Sequence, residues 1–207
     1  MTEQISINAQ SSIRIAGETV IYFDPFRITE NRNDADIIFV THEHFDHFSP
    51  EDIQKVRKAD TIFVAPKSME TQMLNAGCSN LILLTPNETT TVRNIPVKTI
   101  PAYNLLKPFH PKKNGWLGYL ITVNGQKIYV SGDMDATKEA KSVVCDIALI
   151  PIGGTYTMNY KESAEYINII KPKTAIPTHY GTIVGKASDG ESFKKLVSPE
   201  IQVILKL

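Results

Sequence analysis

Three of the chain's five histidines stand together in Asp36-Ile37-Ile38-Phe39-Val40-Thr41-His42-Glu43-His44-Phe45-Asp46-His47. An apolar run that reads as a buried strand ends there in His-x-His-x-Asp-His. Imidazole and carboxylate in one place are the donor set of Zn²⁺, Fe²⁺, Mn²⁺ or Ni²⁺. In extended backbone, residues two apart point the same way, which brings His42, His44 and Asp46 together and lets the turn before Ser49 aim His47 elsewhere. Such a cluster can serve two adjacent metals. A solvated loop gives no reason for this concentration of histidine at the end of a buried strand, so the spacing favours metal over chance.

Other chemistry-bearing residues also sit at expected strand ends. Asp24-Pro25 follows Val20-Ile21-Tyr22-Phe23, Asp133 closes Tyr129-Val130-Ser131-Gly132-Asp133, and His179 follows Ala175-Ile176-Pro177-Thr178. Alone, each reads as an ordinary turn. Together, in this order and after the histidine cluster, they read as one site held at strand ends. The segment from Tyr103 to Trp116 is long enough for an active-site lid, and its Lys107, Lys112 and Lys113 offer charge to a phosphate or carboxylate or simply solvate the loop.

The elements that must position these residues are mostly short β-branched runs. Strands are expected at 12–15, 19–23, 36–40, 61–65, 81–84, 95–100, 117–123, 127–130, 146–150, 174–176 and 201–205. Asn124-Gly125 between two apolar runs marks a hairpin, because both residues tolerate positive φ. A helix should begin after Ser49, with Pro50 in its first turn, and run to about Lys58. Others are expected at 67–75, 160–170 and 191–196. Strands as apolar as Ile37-Ile38-Phe39-Val40 need cover on both faces, which points to mixed sheets in an α/β sandwich with helices outside.

Composition bounds the function. The 207 residues suit one domain, 1–207, with one core. The 22 Lys+Arg against 22 Asp+Glu give no net charge, and no basic block exceeds two residues, so composition does not argue for nucleic acid and no such partner is expected. The N-terminus lacks a basic segment followed by an apolar one, and no apolar run approaches the ~20 residues of a bilayer span, so a cytoplasmic protein without membrane contact is expected. Cys78 and Cys145 lie far apart in sequence and fit neither a zinc knuckle nor a disulfide scaffold.

The His42–His47 segment resembles the His-x-His-x-Asp-His signature of the metallo-β-lactamase superfamily, in particular its uncharacterised metal-dependent hydrolase branch, and the resemblance covers most of the chain. It implies a four-layer αββα sandwich of two mixed sheets flanked by helices. It makes Asp24 a support for the ligand histidines, and His42, His44, Asp46, His47, Asp133 and His179 the metal ligands. Asp46 would also orient the attacking hydroxide, and Asp133 would bridge two ions. A further histidine normally follows the middle strand, but here that strand ends in Pro101-Ala102-Tyr103-Asn104. Asn104 as an oxygen ligand, His110 folding back from the loop, and three ligands plus water are all open. In the resembling branch the Gly153-Gly154-Thr155-Tyr156-Thr157-Met158 segment borders the metal cleft. Tyr156 and Thr157 therefore join Tyr103, Asn104 and His110 as substrate or ligand contacts.

The activity implied is hydrolysis by a metal-bound hydroxide of an ester, lactone or phosphodiester bond in a small, anionic molecule, with one or two divalent ions, Zn²⁺ first. The rival is a non-catalytic metal or small-molecule binding module on the same fold. Association into a homo-oligomer is open.

Overall fold

Paired β-branched runs and the turns between them build two sheets, described here in a computed structural model covering Met1–Leu207. The chain divides into two compact units, Met1–Thr85 and Pro86–Leu207. In the first, β1 (Ile5–Ile7), β2 (Ile13–Ile15) and β3 (Ile21–Phe23) pair antiparallel. Then β4 (Ala35–Phe39), β5 (Arg57–Pro66) and β6 (Leu81–Leu84) add in parallel, giving the order β1-β2-β3-β4-β5-β6. Parallel neighbours need crossovers: α1 (Pro50–Val56) lies between β4 and β5, α2 (Glu70–Asn75) between β5 and β6, and a loop over 24–34 joins β3 to β4. Ile53 and Val56 of α1 and Met73 of α2 share an apolar cluster with Ile38, Phe63 and Ala65. Each of the larger side chains among them contributes about 1.5–3 kcal/mol when fully buried.

Ser49 caps α1, accepting from the Asp52 N–H at 3.3 Å. Asp52 in turn accepts from the backbone N–H groups of Arg27 and Ile28 at 2.8 and 3.0 Å, so the helix start also fixes the loop that leaves β3.

The second unit holds a seven-stranded sheet. β7 (Thr89–Val92), β8 (Ile95–Pro101), β9 (Leu117–Val123) and β10 (Gln126–Val130) form an antiparallel meander; β11 (Ile147–Pro151), β12 (Thr174–Thr178) and β13 (Gln202–Val203) continue it in parallel. The β9–β10 hairpin turns on Asn124 (φ 49°) and Gly125 (φ 75°), as the Asn-Gly pair requires. Helices α3 (Tyr160–Ile170) and α4 (Asp189–Leu196) connect the parallel strands, and their Ala164, Ile167 and Phe193 pack in one cluster with Tyr129, Ala148, Ile150 and Ala175. Every residue of β4, β11 and β12 is buried, the pattern that the apolar runs call for.

Two strands lie outside the sequence expectation. In β7 the threonines carry no apolar signal; β1 has only two isoleucines around Ser6, and both strands gain their structure from the neighbour they pair with. The helix expected to reach Lys58 ends at Val56, because Arg57 turns into β5 and the Lys58 N–H bonds the Thr61 hydroxyl. The 67–75 helix opens as a 3₁₀ turn over Lys67–Met69 before α2, and α4 begins two residues earlier than expected.

Helix α3 carries a complete capping box. The Asn159 side chain accepts from the N–H groups of Lys161 and Glu162, and the Glu162 carboxylate accepts from the Asn159 N–H. Asn159→Ala should lower stability by about 1 kcal/mol and the thermal midpoint by roughly 2–4 °C, measured by circular dichroism.

Candidate metal centre

In the first unit β3 and β4 run parallel with Phe23 opposite Phe39, so the chain emerges from both at the same edge, as Asp24 and as Val40-Thr41-His42. Asp24 takes a left-handed φ of 46°, a conformation that aspartate tolerates better than most residues. Its carboxylate is fully buried and accepts from the Thr41 N–H at 2.8 Å, the Thr41 hydroxyl at 2.7 Å and His47 Nδ1 at 2.8 Å. Burial pushes the Asp24 carboxyl above its usual range, and these bonds from His47 and Thr41 oppose the shift.

This network fixes protons. The Thr41 hydroxyl has one hydrogen and gives it to Asp24, so its oxygen accepts from His42 Nδ1 at 3.0 Å. His42 and His47 are both thereby held with the proton on Nδ1 and the lone pair on Nε2. His42 Nε2 lies 3.0 Å from His44 Nδ1, and His47 Nε2 lies 3.7 Å from Asp46 Oδ2.

The way these groups meet differs from the extended backbone expected. The segment turns, with the His47 and Phe48 N–H groups both bonded to the His44 carbonyl. His47 therefore does not aim elsewhere; its ring lies 4.0 Å from that of His42, centroid to centroid. Thr41, silent in the sequence, links one carboxylate to two imidazoles.

In the second unit, strand directions place the ends of β8, β10, β11 and β12 at one edge. Asp133 follows β10 through Gly132 (φ 63°), and His179 follows β12 with φ 57°, an uncommon conformation for histidine and a form of local strain found at functional sites. His179 Nε2 and His110 Nε2 lie 3.3 and 3.4 Å from the same atom, Asp133 Oδ2, and all three residues are buried.

His110 reaches that point because its loop folds back. The Asn104 N–H bonds the His110 carbonyl at 2.8 Å, and Asn104 Oδ1 lies 3.0 Å from both the backbone nitrogen and Nδ1 of His110. Asp135 clamps the same loop, accepting from the Leu105 N–H at 2.9 Å and from Lys107 Nζ at 2.6 Å. The Tyr103 hydroxyl and Lys112 both bind Glu139, whose carboxyl the Lys112 contact holds down at about 2. Lys107 and Lys112 are thus committed to ion pairs.

Tyr156 is partly exposed and meets Phe109 edge-on at 4.8 Å, while its carbonyl accepts from Asn104 Nδ2. Thr157 is fully buried and its hydroxyl faces the Gly154 and Met158 carbonyls. Asp135 and Glu139 were not singled out in the sequence; the one signal for Asp135 is its place two residues after Asp133.

The donor chemistry can be tested against a divalent ion. Nitrogen and oxygen ligands about 2.0–2.2 Å from a tetrahedral ion lie roughly 3.3–3.6 Å from one another. The two contacts to Asp133 Oδ2 match this spacing, and those at 3.0 and 3.7 Å in the first unit bracket it. Neutral imidazoles with carboxylate or hydroxyl partners behind them are the usual form of such ligands.

Comparison with known proteins gives the same direction. A family profile described as Beta-lactamase superfamily domain matches residues 5–179. A UPF0173 metal-dependent hydrolase of Thermococcus onnurineus (strain NA1) is 30% identical over 94% of this chain and 92% of its own length. A second, from Thermoplasma acidophilum, is 31% identical over 88% and 85%. Among solved structures, a candidate metal-dependent hydrolase from Parabacteroides distasonis superposes with a TM-score of 0.83 at 28% identity, covering 98% of this chain and 92% of that one.

Gly153 shows how closely the second unit packs around its histidine. A Cβ there would overlap the His179 carbonyl oxygen. Gly153→Ala must push the His179 backbone aside, at a cost of about 1–3 kcal/mol. Thermal unfolding and a crystal structure of the variant should show a lower midpoint and a displaced His179.

Proposed function

The chain belongs to the β-lactamase superfamily and, within it, to the UPF0173 metal-dependent hydrolases, with their αββα class of two mixed sheets and flanking helices; from this premise we propose that it hydrolyses an ester, lactone or phosphodiester bond in a small molecule, using one or two divalent ions with Zn²⁺ first. The observation that carries this reading is the donor set: buried imidazole nitrogens and carboxylate oxygens at ligand spacing, with the far side of His42 and His47 already occupied by hydrogen bonds.

His42, His44, Asp46 and His47 in the first unit, and Asp133 and His179 in the second, would serve as metal ligands. When bound, a divalent ion lowers the pKa of its water toward neutrality and polarises the bond under attack. The chain's own contribution is orientation. Asp24 and Thr41 keep the Nδ1 protons of His47 and His42 in place, Asp46 would accept a proton from the attacking water, and Asp133 would supply carboxylate oxygen to the metal. No serine or cysteine nucleophile is needed.

With Lys107 and Lys112 paired to Asp135 and Glu139, negative charge on an anionic substrate would be met by the metal centre rather than by these side chains. Tyr103 and Tyr156 border the loop on which such a molecule would lie. A cytoplasmic location is supported by two buried free cysteines, Cys78 and Cys145. No helix is long and apolar enough to cross a membrane.

Protein purified without chelator or His tag should contain one or two metal ions per chain and turn over generic phosphodiester, ester or lactone substrates. Chelation should abolish turnover and Zn²⁺ should restore it. Asp133→Ala should cut turnover by orders of magnitude with the thermal midpoint of the metal-free protein kept. Metal binding without turnover on any of these substrates would favour the non-catalytic binding module instead.

A further inference from the structure

His110 Nε2 and His179 Nε2 lie 3.4 and 3.3 Å from the same Asp133 oxygen, yet His110 comes from a loop and not from a strand end. We infer that His110 is a nitrogen ligand supplied from the loop after β8, and that Asn104 is the residue that positions it. The inference rests on the metal-centre reading above.

Asn104 is buried, and two backbone groups of fixed polarity orient its amide. Nδ2 donates to the Tyr156 carbonyl at 3.0 Å, and Oδ1 accepts from the His110 N–H at 3.0 Å. Turning the amide over would set donor against donor and acceptor against acceptor, so only one orientation satisfies both ends. His110 Nδ1 lies 3.0 Å from the same Oδ1, and facing an acceptor it must carry the ring proton.

With the proton on Nδ1, the ligating form of the ring presents its lone pair on Nε2, which lies 3.4 Å from Asp133 Oδ2. The imidazole is fully buried and packs against Trp116 at 5.4 Å, which leaves it little room to turn. Asn104 thus does for His110 what Asp24 does for His47, with a neutral amide in place of a carboxylate. The ligand also depends on its loop, because Asp135 holds Leu105 and Lys107 two residues beyond Asp133.

Two readouts on the full chain test this without reference to activity. The tautomer of His110 is read in metal-free protein by long-range ¹H–¹⁵N correlation, and Co²⁺ is titrated while its visible absorption is followed. Wild type should carry the His110 proton on Nδ1. Asn104→Ala should lose that preference and bind Co²⁺ about 10–100-fold more weakly. Asn104→Asp keeps the acceptor and should restore the tautomer and part of the affinity. His110→Ala should change the Co²⁺ spectrum through the loss of one nitrogen.

An Asn104→Ala protein with unchanged tautomer and affinity would overturn the positioning role. A His110→Ala protein with wild-type spectrum and affinity would overturn the ligand role. Both results leave the metal centre standing, whereas wild type that binds no Co²⁺ would sink that reading and the ligand role together. If Asn104→Ala fails to fold, the wild-type tautomer and the His110→Ala spectrum decide.

Discussion

A neutral imidazole offers one donor and one acceptor, and a site built from several of them works only if each is told which nitrogen keeps the proton. In this protein the buried Asp24 carboxylate does this for two rings. It accepts the Nδ1–H hydrogen bond of His47 directly and, by engaging the Thr41 hydroxyl, turns that oxygen into an acceptor for His42. Placing a carboxylate in a fully buried position is costly unless hydrogen bonds compensate. Three of them do, and each comes from the segment that must be held.

The same requirement shapes the sheets. Asp24 and Thr41 can meet only because β3 and β4 are parallel and in register at Phe23 and Phe39, so that their ends share an edge. In the second unit the antiparallel meander and the parallel strands after it bring β8, β10 and β12 out at one edge, which delivers the Asn104–His110 loop, Asp133 and His179 together. Left-handed backbone at Asp24, Gly132 and His179 marks where each chain leaves its strand abruptly to present a side chain.

Much of this was legible in the sequence, for reasons that can be stated residue by residue. The buried run before His42 and the Asn-Gly hairpin declare themselves through local chemistry, as do the Ser49-Pro50 helix start and the donor types at strand ends. The turn that gathers His42, His44 and His47 was not legible, since alternation alone implies an extended path. The role of Asn104 and His110 depends on contacts with Tyr156 and Asp133, tens of residues away, and nothing local distinguishes that histidine from a solvated one. For the lysines the sequence left ligand attraction and solvation both open, and the ion pairs of Lys107 with Asp135 and Lys112 with Glu139 depend on partners that lie more than twenty residues away.

In the proposed metal centre Asp24 stays behind the histidines and leaves their outward nitrogens to the metal. The most direct test is a crystal structure of the Zn²⁺-loaded full chain with diffraction recorded at the zinc absorption edge. The expected result is an anomalous peak bonded to His47 Nε2 and an Asp46 oxygen, with Asp24 still bonded to Nδ1 and outside the coordination sphere. Zinc bound through His47 Nδ1 or to Asp24 itself, or ordered zinc only at sites away from these residues, would contradict it.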